Sequence, residues 1–408
     1  MLFLEQYYYP EGWGGAQFPR DVTIDWARSG YEVVVVCGAE QYAQAVAGDG
    51  ADPRQSGVRI RRVPALIGGD VRRRKVLRQM WFLIAALPAM VFGRRPDVLV
   101  TQTNPPVTVL LTAMVSWLLR CPYVIIAQDL YPEVIFAHGM LSSRGLAARL
   151  LTVLFRRAYV KAAAVVSLGP RMTSRLTEKG VAAQRICEIS NWATGDLRVV
   201  RGPGNELRRS WDLEGKVVAV YSGNLGIAHD CETLLRAMAA ASSIAPQLRL
   251  VFIGGGTRSD EARALVRELG LQATVLFKPF VPFELLPHTY GLADISVVTL
   301  LPGFDGLVVP SKLFGNMARC VPTLYIGPPG SDVDIYLRES GGGLSLANGD
   351  ADAAARGLTL CVSDPERLAE LGAAAGRFYE QRLKRELALD QYRRLLRRCV
   401  PADGPMST

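Results

Sequence analysis

The sequence predicts an α/β protein made of two doubly wound parallel-sheet domains. Three observations carry this expectation. Thirteen short apolar, β-rich runs alternate with stretches of helical spacing along the 408 residues. Most of the runs are continuously apolar rather than apolar at every second position, as strands covered on both faces are. A loosened join near residues 191–216, with Asn191, Gly195, Gly202, Pro203 and Gly204, interrupts the alternation once. At roughly 100–200 residues per domain, two domains fit the length.

In chain order, the first-half strands are expected at 2–5, 32–37, 58–63, 98–101, 123–127, 164–168 and 186–189. The second-half strands are expected at 217–221, 249–253, 274–277, 295–299, 323–326 and 343–346. This places one domain at 1–198 and the other at 199–379, with an arginine-rich helix near 380–400 returning to the first.

Composition narrows the class. Hydrophobic residues make up 49% and charged residues 21%, an ordinary balance for a globular core. The seven cysteines include no CxxC pair, and their number is odd, which speaks against a disulfide framework or a zinc site and for a reducing compartment. The three histidines, His138, His229 and His288, are far apart, so no metal is expected. Residues 1–6 read as a first buried strand, not a signal peptide. The longest apolar run, from Met80 to Gly93, falls short of the ~20 residues a spanning helix needs and contains Pro88. The expectation is a cytoplasmic chain without a transmembrane span.

Charge is uneven. Residues 1–200 hold 24 Lys/Arg against 15 Asp/Glu, whereas 201–408 hold 23 of each. An anionic partner for the first half follows: nucleic acid, acidic membrane or a phosphorylated substrate. Within that half, Arg72, Arg73, Arg74 and Lys75 stand just before Trp81 and Phe82. Cations beside aromatic residues suit a helix lying in an anionic lipid interface. A buried crossover helix with solvated ends is the other reading.

Ligands of open parallel sheets collect at the carboxyl ends of the strands. After the first strand come Gly14 and Gly15, where backbone can approach a ligand and a helix N-terminus offers free N–H groups to an anion. A plain strand-to-helix turn would look the same. After 123–127 comes Asp129, placed to bind hydroxyls or accept a proton, or simply to cap a helix. Asn104-Pro105-Pro106 reads as a helix start. After 217–221 come Asn224 and His229, and after 249–253 come Gly254 and Gly255. The latter lack the third glycine and the acidic residue of a dinucleotide fingerprint. Ser311 and Lys312 open a helix after 295–299, and a lysine there suits a diphosphate. An isolated lysine is also commonly just solvated.

In this order and spacing the sequence resembles glycosyltransferase family 4, the retaining enzymes of the GT-B fold. The segments that carry the resemblance are YYYPEGWGGAQ, AQDLYPE, ISNWATGD, YSGNLGIAHDCETLLRAM, LRLVFIGGGTRSDEARALVRELGL, VLFKPFVPFELLPHTYGLADISVV and VVPSKLFGNMARCVPTLYIG. They cover essentially the whole chain. QDLYPE and VVPSKL look most like the branch that builds capsule, O-antigen and colanic-acid-type polysaccharides, including fucosyl and N-acetylfucosaminyl transferases.

The resemblance implies two facing Rossmann-like domains with the active site in the cleft between them. It implies a UDP- or GDP-sugar donor, a polyprenyl-diphosphate-linked saccharide acceptor at the cytoplasmic face of the inner membrane, no nucleic acid and no cofactor. Gly14 and Gly15 match the glycine loop that faces the donor diphosphate. The family's arginine and lysine fall on Asn224 and His229, and its two glutamates, eight apart, fall on Leu307 and Gly315. Lys312 then becomes the leading cation and Asp305 a substitute carboxylate, with Ser311, Gly254, Gly255 and the backbone around Pro279 as further donor contacts. Asp129 and Lys312 are the expected catalytic residues. A nucleotide-sugar epimerase, a phosphorylase or an inactive sugar-nucleotide-binding paralogue would share the same fold.

Overall fold

The computed structural model describes residues 1–10, 14–38, 52–64 and 75–400. The chain divides into two compact units. The first comprises Met1–Ser190, Gly306–Val308 and Glu386–Thr408, and the second Asn191–Asp305 and Val309–Arg385.

The first unit contains the strands β1 (Leu2–Leu4), β2 (Val34–Gly38), β3 (Arg59–Val63), β4 (Leu99–Gln102), β5 (Tyr123–Ile126), β6 (Ala164–Ser167) and β7 (Ile186–Glu188). They form one sheet in the order β3-β2-β1-β4-β5-β6-β7. The second unit contains β8 (Val217–Ser222), β9 (Leu248–Ile253), β10 (Val275–Lys278), β11 (Ile295–Thr299), β12 (Thr323–Ile326) and β13 (Gly343–Leu346), in the order β10-β9-β8-β11-β12-β13. Neighbouring strands pair in parallel, for example Leu4 with Thr101 and Val297 with Leu324. β4, β5, β6, β11 and β12 are buried along their whole length. That is why their runs carry no polar alternation.

Each sheet reverses its winding once: between β1 and β4 in the first unit, and between β8 and β11 in the second. Crevices at such reversals, beyond the carboxyl ends of the strands, are where doubly wound sheets bind ligands.

In the first unit the helices Lys75–Val91, Thr108–Leu119 and Leu146–Lys161 pack side by side, with Thr108–Leu119 in the middle. Helix Gly14–Arg28 is covered by the last helix, Arg385–Cys399. Trp26, 1% exposed, meets the ring of Tyr392 edge-on at 6.2 Å, and Arg393 donates to Asp25 at 2.6 Å. In the second unit the helices Cys231–Ile244 and Ala351–Ser363 lie together over an apolar core of Leu234, Leu235, Leu250, Val297, Leu324 and Leu358.

Two boundaries differ from the sequence expectation. The join falls at Ser190/Asn191 rather than 198/199. Backbone bonds tie the intervening residues to the second unit: the Ala193 amide donates to the Tyr379 hydroxyl (3.2 Å), and Arg319 donates to Thr194 O (2.9 Å). The helix expected to start at Asn104-Pro105-Pro106 begins at Thr108. Its hydroxyl donates within 2.7 Å of both Gln102 O and Pro105 O, and so caps the preceding turn.

Candidate functional site

The reversal between β8 and β11 gathers the polar loops of the second unit. β8 ends at Tyr221-Ser222, and the chain then runs through 223–230 to helix Cys231–Ile244, where Asp230 caps the Thr233 amide at 3.0 Å. This loop is laced to the next two strand ends. Gly223 N donates to Ile253 O (2.9 Å), Leu225 N to Gly255 O (2.7 Å), and Gly254 N to Lys278 O (2.9 Å). The close approach explains two glycines. Gly254 has φ +126°, and a Cβ there would lie 2.5 Å from Gly223 O; on Gly256 it would lie 2.2 Å from Leu225 O. Gly254 therefore has a packing duty of its own, whereas a Cβ on Gly255 would meet nothing within 4 Å.

Lys312, the first residue of helix Lys312–Ala318, sends its side chain into this crevice. Its amino nitrogen lies 3.6 Å from the centroid of the Tyr221 ring and about as near to Gly223, where an added Cβ would sit 3.8 Å from Nζ. The residue is half-buried, but the nitrogen itself is closed off from solvent and has no hydrogen-bond partner among the described residues. Burial pushes the ammonium down from 10.5 to about 7.

His229 stands edge-on to the same ring, with centroids 5.7 Å apart. Its Nδ1 lies 2.8 Å from Thr299 O, at the end of β11. A carbonyl only accepts, so Nδ1 carries the hydrogen and Nε2 presents a lone pair. Burial, and then the charge of Lys312, push its pKa down to about 3. His229 is thus neutral and cannot stand in for the family's lysine as a cation. It can accept a hydrogen bond from a hydroxyl.

The other expected donor residues spread around this centre. The Asn224 side chain is exposed, while its carbonyl accepts from the Tyr221 hydroxyl at 3.1 Å. Ser311 and Pro279 are exposed, and Asp305 is half-buried in the middle of the loop after β11. Gly315 is buried, and a Cβ there would lie 2.1 Å from the Tyr290 hydroxyl. A glutamate at 315 has no room while Tyr290 keeps its place. Sequence reasoning passed over Tyr221, whose ring carries Lys312. Its aromatic side chain at the very end of an apolar strand was the available signal.

In the first unit, Gly14 and Gly15 are the first two residues of helix Gly14–Arg28, so their amides belong to the unpaired first turn. Asp129 follows β5 but does not cap a helix, since the next helix begins at Glu133 after Pro132. The loop is instead pinned by Thr103, whose hydroxyl accepts from the Gln128 and Asp129 amides, each at 3.0 Å. Asp129 also bridges to Val308, and Leu130 N donates to Leu307 O (2.8 Å). Burial pushes the Asp129 carboxyl up from 3.8 to about 6.

The lipid-facing set read from the sequence needs correction. Phe82 is 3% exposed and, with Ala86 and Met90 at four-residue spacing, forms the buried stripe of its helix. The Trp81 indole is half-buried and donates to Pro64 O at 2.9 Å. Arg72, Arg73 and Arg74 lie outside the described residues, as does the Lys75 side chain. Among the described residues, no helix is long and apolar enough to cross a membrane.

Comparison with known proteins fits this arrangement. The family model described as "Glycosyl transferase 4-like domain" matches residues 14–192, and that described as "Glycosyl transferases group 1" matches 205–378. Between them they cover most of the chain. The chain belongs to the family 4 glycosyltransferases. This glycosyltransferase is 28% identical to WbjE of Pseudomonas aeruginosa, named for glycosyl transfer, over 74% of each chain. It is 28% identical to WcaI of Escherichia coli, named for glycosyl transfer in colanic acid biosynthesis, over 43% of each. Among solved structures, HepE of Anabaena in complex with UDP matches the glycosyltransferase at a TM-score of 0.72 and 16% identity, over 97% of this chain and 99% of that one. At that identity the likeness concerns the fold, two parallel-sheet Rossmann-like units of the GT-B class.

Proposed function

We propose that this glycosyltransferase moves a sugar, with retention at the anomeric carbon, from a nucleotide diphosphate sugar to a lipid-linked saccharide in the assembly of a cell-surface polysaccharide. The observation that carries the donor half of this reading is the amino group of Lys312 at the β8/β11 reversal, shut off from solvent and without a hydrogen-bond partner among the described residues. A buried cation centre left unpaired is costly unless a ligand completes it. A diphosphate supplies what is missing.

As the sugar–phosphate bond breaks, negative charge grows on the leaving diphosphate. A fixed cation in a dry crevice lowers that barrier more than it stabilises the bound donor. In this reading Asn224 and Ser311 donate hydrogen bonds to the donor, and Nε2 of His229 accepts one from a sugar or ribose hydroxyl. In the first unit, the amides of Gly14 and Gly15 offer anion contacts of the same kind, and Asp129 is assigned to hydroxyls of the saccharide. UDP bound to HepE and the colanic acid role in the name of WcaI support a UDP-sugar donor and a polysaccharide product.

Nucleotide release tests this reading. A transferase frees nucleotide only when acceptor is present, and the product keeps the donor's anomeric configuration by proton NMR. Release without acceptor, interconversion of donor sugars, or binding with no turnover on any acceptor would each replace it, with a hydrolytic, epimerising or inactive protein respectively.

A further inference from the structure

We propose that Tyr221 is the positioning residue of the donor crevice: its ring, locked in a row of aromatic side chains, holds the amino group of Lys312 as a cation with no carboxylate beside it. For the diphosphate that this cation serves, the proposal rests on the reading above.

Strand register builds the row. Tyr221 pairs with Phe252, and Phe252 with Phe277, near the carboxyl ends of β8, β9 and β10. Register partners in a parallel sheet share one face, and neighbouring strands lie about 4.8 Å apart. The rings follow that spacing. Tyr221 and Phe252 are 5.5 Å apart, and Phe252 and Phe277 stack at 5.0 Å. Two further contacts fix Tyr221: the edge of His229 at 5.7 Å, and the bond from its own hydroxyl to Asn224 O at 3.1 Å. A ring so held, 1% exposed, has no freedom to turn its face from Lys312.

A cation closes each end of the row. Arg263 lies 4.2 Å from the centre of the Phe277 ring, and Lys312 3.6 Å from that of Tyr221. Arg263 is exposed and keeps its water, whereas Nζ of Lys312 is closed off. The negative face of the ring offsets the charge there.

The charged groups of the adjoining loops are engaged elsewhere. Asp230 accepts from the Thr233 amide (3.0 Å) and from Asn348 (2.8 Å). Glu261 pairs with Arg258, which also donates to His229 O at 2.6 Å, and His229 is neutral. Neither Asp305 nor any other carboxylate contributes to the shift of Lys312, whose cause is burial. A carboxylate in this place would neutralise the ammonium and compete with an incoming diphosphate. A ring stabilises the charge and leaves the ammonium protons free to bond. Packing alone would ask only for an apolar ring of this size; a cation on its face asks for its π electrons.

A graded series at position 221 tests the proposal. Tyr221→Phe is the parent, followed by 4-fluoro-, 3,5-difluoro- and 3,4,5-trifluorophenylalanine, which nearly keep the ring's shape while stripping negative charge from its face. Lys312 is followed by carbon-13 NMR of its Cε; the chain has seven lysines, and Lys312→Met assigns the signal. The titration midpoint of Lys312 should fall in that order, its proton affinity dropping by about tenfold, one pH unit, from the phenylalanine to the trifluoro ring. A midpoint that stays constant along the series overturns the proposal. So does a wild-type midpoint equal to that of the exposed lysines, which would place the amino group in water. No nucleotide enters this measurement, so its outcome is separate from that of the transfer assay. Calorimetry of UDP and GDP at pH 8 on the same series checks the reading beneath it: affinity should weaken in the same order. Constant affinities with a falling midpoint would overturn the diphosphate reading and leave the hold of Tyr221 on Lys312 standing.

Discussion

The amino group of Lys312 rests 3.6 Å from the centre of the Tyr221 ring, a cation over an aromatic face in a crevice that water does not reach. The ring lends part of the solvation that the ammonium lost. A diphosphate would restore the rest. Turnover of Lys312→Ala should therefore fall by about 10²-fold or more, the scale for removing one preorganised donor of positive charge. A variant within a few-fold of wild type in a single-turnover assay would remove Lys312 from the mechanism.

The same burial makes binding and stability depend on pH. The folded pKa of Lys312 is about 7 against 10.5 unperturbed, so between these values the ligand-free fold holds fewer protons than the unfolded chain. Its stabilising contribution is full above 10.5 and is lost as pH falls toward 7. The melting temperature of Lys312→Met should accordingly exceed that of the wild type near pH 7, and the gap should narrow toward pH 10. Binding of UDP or GDP near pH 8 should take up a proton, because the bound diphosphate favours the ammonium. Titration calorimetry in buffers of different ionisation enthalpy measures this; identical heats in all buffers would refute it.

Asp129 moves in the opposite direction. Its folded pKa, about 6, lies above 3.8, so the fold holds more protons than the unfolded chain between these values, and its contribution, full below 3.8, is lost as pH rises to about 6. Asp129→Asn should stabilise the protein by about 1–2 kcal/mol at pH 8, after allowance for its partial exposure, and that gain should vanish below about pH 3. Transfer activity should drop in the same variant. Higher stability with full activity would leave Asp129 without a role in the reaction.

Gly315 and Tyr290 form a packed pair. Gly315→Glu should destabilise by about 3 kcal/mol or more, from overpacking together with a buried carboxylate. Adding Tyr290→Ala should recover part of that loss, because the two changes share one space. Strictly additive denaturation energies for the two substitutions would mean that the ring does not hold that space.

With no glutamate at 315 to grip a ribose, nucleotide affinity should be modest. Free UDP or GDP should bind in the micromolar range or weaker, no more than about 8 kcal/mol in magnitude. Nanomolar binding by calorimetry would reveal a strong contact outside the residues named above.

Much of the fold was legible because burial on both faces leaves its mark residue by residue. Thirteen apolar runs correspond to thirteen strands, displaced by one or two residues where the hydrogen-bond ladder rather than hydropathy sets the end. Lys312 could be named because a lysine opens a helix after a strand. Its isolation could not, since that depends on Tyr221 and Gly223, which are about ninety residues away in sequence. His229 aligned with a cation, but only the Thr299 carbonyl reveals a neutral ring with its lone pair outward. Phe82 misled because an aromatic beside arginines suits lipid and core equally. The helical phase set by Ala86 and Met90 decides for the core.

The return of the last helix to the first unit has a consequence during synthesis. Trp26 emerges from the ribosome before the second unit is made, and Tyr392, which packs against it, only afterwards. The unit that is begun first is the one finished last. A nascent chain must carry that uncovered tryptophan through translation of the whole second unit. Loss of the segment from Arg385 onward, through a stop codon or a protease, would therefore strike helix Gly14–Arg28.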